Sequence, residues 1–476
     1  MATRVSSASE LQVALESASG GDTILLESGN YGWFNLQNLK FDDHVTIRSA
    51  DGDGGAQFKH ITIKDSDHIK LDSLTIEFGE RTHSNDKAID IRNSDHVQVV
   101  NSEIIGNADT KDWSDVARGV EVWQGSSNIE FSGNHLHHFG RAALFLGVSD
   151  IIFNNNRIDD IRGDGIFIGN SRNLTIENNL LTDFYRQGSD HADYIQFDPG
   201  TSGASRDVII RGNVMLKGKG NGDVQGIFGA NHHDDIHNSV FTNFLVEDNI
   251  YFDTGLNAIQ FYSGDTMTVR NNTVLADPAD GRVVWVRLHG PQSGSVLEDN
   301  VATQVNAEGG ATASGNIIAQ FRDPGQANYY GDLFADPFAD TVTLEGLAPK
   351  AGAIGYGSGK GAEQRFQELL HGGNRPDTGE SKTTGAGDDA AGGADTAIDD
   401  DSRAGVSFGQ DERKLNLKDA LVDSNGDAEP VTAGVEPERS GDDVAGNLAD
   451  VFHDSGAGEA LDEEPASGDA EGLLLS

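Results

Sequence analysis

Along most of its first 345 residues the chain repeats one phrase: a short apolar strand, a polar turn, a second strand, an Asn, and a third apolar stretch. The phrase reads VVNSEI around Asn101, SGNHL around Asn134, NNNRI around Asn156, ENNLL around Asn179 and RGNVM around Asn213. It continues as EDNIY around Asn249, RNNTV around Asn272, EDNVA around Asn300 and SGNII around Asn316. Successive Asn residues lie 33, 22, 23, 34, 36, 23, 28 and 16 apart. A base period near 22 with insertions is what stacked β-coils need, each coil spending three short strands per turn and lengthening some turns into loops. The Leu-x-x-Leu-x-Leu pattern of leucine-rich repeats is absent, and Ile and Val dominate the apolar positions. The pattern predicts an all-β chain, a right-handed parallel β-helix over residues 1–348. Asn suits the corner because it tolerates left-handed backbone angles and its amide can bond to the Asn of the next coil. Ser9 to Ala18 reads as a helix capping the first coil, followed by a strand from Thr23 to Leu26.

Alternation along a strand sorts inside from outside. The inward pairs read as Ile89/Ile91, Val120/Val122, Leu144/Leu146, Ile166/Ile168, Ile195/Phe197, Ile259/Phe261 and Val284/Val286. Between them runs an outward column of Asp90, Glu121, Phe145, Phe167, Gln196, Phe228, Gln260 and Trp285. One step further lie Arg92, Trp123, Asp198, Tyr262 and Arg287. Rings offer flat apolar platforms and amides pair with hydroxyls, so this face is a candidate sugar-binding floor. The preceding turn gives a third column: Lys87, Arg118, Ala142, Asp164, Asp193, Gln225, Asn257 and Arg282. Equal offsets on adjacent coils predict that Asp164 and Asp193 are neighbours, about 5 Å apart.

Beyond Pro349 the pattern fails. Residues 349–402 read as a linker rich in Gly, Ala and Asp, with one helix from Ala362 to Leu370, and residues 403–476 as an acidic region with little order. The formal charge is −43, and from Arg375 onward there are 26 acidic against 7 basic residues. A nucleic-acid partner is therefore not expected, because binding a polyphosphate needs a basic surface. Between Arg141 and Lys219 the balance is 9 basic to 10 acidic, so an anionic chain could be tolerated there. There is no cysteine, no apolar run long enough to span a membrane and no N-terminal signal peptide pattern.

The opening SASELQVALESASGGDTILLESGNYG, followed by Asn-marked coils, resembles the pectate-lyase-like superfamily of polysaccharide-processing enzymes. It is most similar in character to the alginate lyase and chondroitinase B group. The resemblance implies a polysaccharide substrate and no organic cofactor, with calcium as a candidate ion, but the superfamily hosts several chemistries. The acidic tail, ending in Leu473-Leu-Leu-Ser476, resembles the uncleaved C-terminal signals of bacterial type I secretion, although the glycine-rich calcium nonapeptide usual in such proteins is missing. That implies an extracellular protein without an N-terminal signal, and the chain is expected to be a monomer.

The two longest insertions, Asn179 to Asn213 and Asn213 to Asn249, bring in Arg186, His191, Lys217 and Lys219 around Asp193. Uronide β-elimination could use this set, with Asp164, Asp193 or Asp198 holding calcium. Lys217, Lys219 or His191 would be the base, and Arg141, Arg162 or Arg186 would meet the carboxylate or leaving group. Glycoside hydrolysis could use an Asp pair. Epimerisation shares the elimination chemistry, and Tyr194-Ile-Gln-Phe-Asp198-Pro199 resembles the Asp-Pro-His motif of mannuronan epimerases with Gly200 in place of the His. A fourth reading is a non-catalytic glycan-binding surface protein. His135 and His137 share a strand face with no carboxylate beside them in sequence and read as structural. His232-His233-Asp234-Asp235 with His237 reads as an exposed loop.

Overall fold

The structure, a computed structural model, describes residues 2–371 apart from 53, 80–85, 108–116, 187–190, 200–202 and 231–239. The histidine-rich run from His232 to His237 and the predicted linker and tail from residue 372 onward lie outside these residues.

The described strands pair in parallel, and apart from those at the ends of the stack each pairs with a strand one coil before and one coil after, as a three-sided parallel β-helix requires. Most side chains pointing into the coil are Ile, Val, Leu and Phe, and they form one continuous core from Val5 to Ala302. Burial on this scale, at roughly 25 cal/mol per Å² of apolar surface, is the main driving force of the fold. The helix Ala8–Ser17 closes the first coil. Its Ser7 cap accepts from the Glu10 N–H and the Glu10 carboxylate accepts from the Ser6 N–H, while Leu11, Ala14 and Leu15 turn onto the core. The strand Thr23–Leu26 follows as expected. No described helix is long and apolar enough to cross a membrane.

The Asn corner works differently from the expectation. From Asn156 to Asn316, each Asn of the ladder accepts at Oδ1 from both the backbone N–H and the side-chain amide of the ladder Asn one coil before, at 2.9–3.1 Å. The left-handed residue is the one before it: Gly133, Asn155, Asn178, Gly212, Asp248, Asn271, Asp299 and Gly315 all have φ between 52° and 68°. The bend and the ladder are thus divided between two neighbours, which is why Gly, Asn and Asp recur at the first and Asn alone at the second. Asn101 is a bending residue, and Ser102 stands at the head of the ladder, its N–H donating to Asn134. Asn213, fully buried, makes four such side-chain bonds, to Asn179 twice, Ile176 and Asn249. Asn213→Ala is therefore expected to cost about 3 kcal/mol or more, since each buried group left unpaired costs about 1–3 kcal/mol. Asn316→Ala, at the half-exposed end of the ladder, should cost about 1 kcal/mol. Urea unfolding midpoints compare them, and equal losses would contradict a ladder whose strength comes from burial.

The stretch from 349 to 371 does not leave the helix. Ala362 and Phe366 are buried with Tyr330, Leu333, Phe334, Leu344 and Leu347 against Leu180, Val214, Leu216, Ile250, Phe252 and Leu275. These last residues point outward from the third strand of each coil, so the segment covers an apolar outer face. The helix Glu363–His371 anchors it, one residue from its expected start. Glycine-rich composition suggested a linker, but Lys360 reaches Asp299 and the Ala362 N–H donates to Thr273, holding the segment down.

Candidate functional site

The first strand of each coil carries the predicted columns, and the strand register corrects them. In register, the outward line is Asp90, Glu121, Leu144, Phe167, Gln196, Phe228, Gln260 and Arg287. Phe145 is not on it. It pairs with Val122 and Ile168, is fully buried, and packs edge-on against Phe153 in the core. The run Ala142-Ala143-Leu144-Phe145-Leu146 is apolar on both faces, so alternation could not reveal which side faces in. At the far end a bulge after Asn257 shifts the register, so Arg287 joins Gln260, His289 joins Tyr262, and Trp285 falls beside Asn257. The Trp285 indole N–H donates to Asn257 and Gln260 at 2.9 and 2.8 Å.

The corner line also differs from the expectation. Arg141 replaces Ala142 opposite Arg118, and Trp285 replaces Arg282 opposite Asn257. Asp164 and Asp193 are neighbours as expected, the Asp193 N–H donating to Asp164 Oδ1 at 3.2 Å. Asp164 Oδ2 accepts from Arg141 at 2.9 Å, and the Arg141 guanidinium lies over the Phe167 ring, 4.4 Å from its centre. Asp193 is 0% exposed, and its Oδ2 lies 2.9 Å from Nδ1 of the half-exposed His191. On its other side His191 meets the Gln225 amide and the Phe228 ring, 5.1 Å away edge-on. One corner thus gathers Arg141, Asp164, Asp193, His191 and Gln225 above Phe167 and Phe228.

The other predicted residues are held elsewhere. Arg186 binds Asp223 at 2.8 Å, and Arg282 binds the other oxygen of Asp223. Lys217 donates to Asp277 at 2.8 Å, and the Lys219 backbone N–H to Asp183. Both lysines follow the third-side strand Val214–Leu216, and their loop folds back on that corner, a direction sequence distance does not convey. Glu121, expected to touch substrate, is 1% exposed and bonded to Lys87 and Arg118. Trp123 sits under Lys87 and Arg92, 5.1 and 5.4 Å from its ring. Tyr262 stacks edge-on with His289 and Phe228, and Arg287 binds Glu308. Gln196 and Gln260 are buried. Cations answer carboxylates along this face, so its local charge is far more balanced than that of the whole chain.

Asp164, Asp193 and Asp198 do not meet at one point. Asp193 opens the strand Asp193–Phe197 and Asp198 follows its end, so the two lie about 16 Å apart at 3.3 Å per residue. Asp164 and Asp193 already face Arg141 and His191. The set does not fit one calcium ion, which needs six or more converging oxygens. Tyr194, in the stretch similar to the epimerase motif, points inward. Its hydroxyl donates to fully buried Asp253 at 2.7 Å, a pair without any local signal because the partners are 59 residues apart. Burial pushes the Asp253 carboxyl up to about 6, against the bonds from Thr254 and Tyr194.

Residues 23–197 match the family model for the right handed beta helix region. No curated protein matches the chain. Among solved structures it is similar to an alginate lyase from Paenibacillus sp. str. FPU-7, with 18% identity over 66% of this chain and 94% of that one, at a TM-score of 0.36. A surface adhesin of Streptococcus pneumoniae is 11% identical over 67% and 92% of the two chains, with a TM-score of 0.43. The A-module of an Azotobacter vinelandii mannuronan C-5 epimerase is 12% identical over 66% and 94%, with a TM-score of 0.39. These likenesses concern fold, not chemistry. From its strand pairing and the matched region, the chain folds as a right-handed parallel β-helix.

Proposed function

We propose that this protein is a polysaccharide lyase that cleaves a uronic-acid-containing chain by β-elimination. The observation that carries the reading is the His191–Asp193 pair beside Arg141, at a corner backed by Phe167, Gln196 and Phe228, all three of them buried. With its proton on Nδ1, facing Asp193, His191 would carry its lone pair on Nε2, where the Gln225 amide now meets it, and act as the base once substrate displaces that contact. The base takes the C5 proton of the uronide, the electron pair forms the C4–C5 double bond, and the C4–O bond breaks. The leaving oxygen recovers a proton from the imidazolium or from water. Arg141, fixed over Phe167, would meet the substrate carboxylate and lower the cost of charge building at C5. A glycosidase reading is weaker because it needs two carboxylates that reach the bond, and Asp193 is sealed from solvent. No step runs through calcium. The acidic tail, residues 403–476, is read as a type I export signal that places the enzyme outside the cell.

Purified protein incubated with a panel of alginate, pectate, heparosan and chondroitin should generate ultraviolet-absorbing unsaturated ends on one of them, with or without chelator. New reducing ends without that absorbance would sink the lyase reading in favour of a hydrolase. Altered uronate composition at constant chain length would favour the epimerase, and bound polysaccharide left unchanged would favour a binding protein.

A further inference from the structure

We propose that Glu103, His135 and His137 form a binding site for a divalent transition-metal ion of zinc-like preference, on a different side of the β-helix from the His191 corner. Their ligand atoms all lie within 4.8 Å of one another. His135 and His137 alternate around Leu136, which is fully buried, so the strand His135–Phe139 holds both imidazoles on its outer face. The two rings lie 4.2 Å apart. Glu103, on the preceding coil, is in register with His135, and its Oε1 is 3.4 Å from Nε2 of His137. Two coils thus supply two nitrogens and one carboxylate, a donor set that suits zinc, nickel or copper better than calcium.

The remaining ring nitrogens are held as metal-binding histidines require. Nε2 of His135 bonds Asp159 at 2.9 Å, and Asp159 is fixed in turn by Arg157. Nδ1 of His137 meets Nδ1 of His138, whose Nε2 is 2.8 Å from Asp160. The Asp159 carboxylate behind His135, and the His138 imidazole behind His137 with Asp160 beyond it, leave Nδ1 of His135 and Nε2 of His137 to the ion. Glu103 is solvent-exposed, so an ion entering on that side would keep water in its fourth position. Asp159 and Asp160 lie 22 to 24 residues beyond the histidines, one coil on, and no adjacency in sequence announces them.

The test uses the full chain, stripped with EDTA, dialysed and titrated with zinc chloride by calorimetry, with Co²⁺ absorption as a spectroscopic reporter. One ion per chain should bind, and zinc should raise the thermal midpoint. Glu103→Gln, at an exposed position, should weaken binding about tenfold, and His135→Asn or His137→Asn about a hundredfold, with loss of the Co²⁺ band. Circular dichroism checks each fold, and if His137→Asn fails to fold, the other two variants still decide. The double variant His232→Ala/His233→Ala should bind as the parent does. No zinc uptake, or uptake lost in that double variant yet kept in Glu103→Gln and His135→Asn, would overturn the assignment.

Discussion

On the polysaccharide that gives unsaturated ends, His191→Ala should lower kcat by about two to four orders of magnitude, the range over which a positioned general base contributes. Asp193→Asn is the sharper experiment. Asp193 is fully enclosed and does not reach substrate, so KM should hold while kcat falls by about a hundredfold or more. The isosteric amide fits the same corner, but its NH₂ can donate to Nδ1 of His191 and drive the proton to Nε2, which removes the base. The Asp193 N–H bond to Asp164 is made by the backbone and survives the substitution, so a collapse of the corner is not expected. A corner whose only duty is structural predicts the reverse: a lower unfolding midpoint with kcat within a few-fold of the parent. Steady-state kinetics with a urea unfolding curve on the same protein separates these, and an unchanged kcat in Asp193→Asn would remove His191 from the mechanism.

How much of this was legible in the chain follows from what each feature depends on. The coil repeat, the capping helix, the Asp164–Asp193 contact and most inward residues rest on spacing and alternation, which sequence carries directly. Phe145 was misplaced where both faces of a strand are apolar, and Arg287 where a bulge inserts one residue; neither leaves a mark in a period-two pattern. The partners of side chains were harder still. Arg186 with Asp223, Lys217 with Asp277, Tyr194 with Asp253 and His135 with Asp159 join residues 24 to 60 positions apart, and each depends on the lengths of the intervening loops. The same dependence explains the covering segment: nothing local in the glycine-rich run after Pro349 says that an apolar outer face waits for Phe366.

Glu121→Ala should destabilise the protein by about 3–5 kcal/mol at neutral pH, because it strips the nearest counter-ion from a buried lysine. Lys87 is 3% exposed, and beyond Glu121 its carboxylate neighbour is Asp90 at 3.9 Å. Glu121→Gln keeps the shape and loses the charge, so it isolates the electrostatic part. Burial alone would raise the Glu121 carboxyl, but the charges and bonds of Lys87 and Arg118 outweigh it and leave the group below its ordinary value. The sign follows: a carboxylate depressed on folding contributes stability that is complete above its unfolded value, near 4.3, and fades as pH falls through the folded one. The gap between parent and Glu121→Gln in urea unfolding should therefore be wide at pH 7 and close toward pH 3. A gap independent of pH would mean that packing, not charge, holds the cluster together. If the gap closes as expected, Glu121 belongs to the frame of this face of the β-helix and not to its solvent-facing surface. Its charge is spent holding Lys87 over the Trp123 ring, which Arg92 also covers.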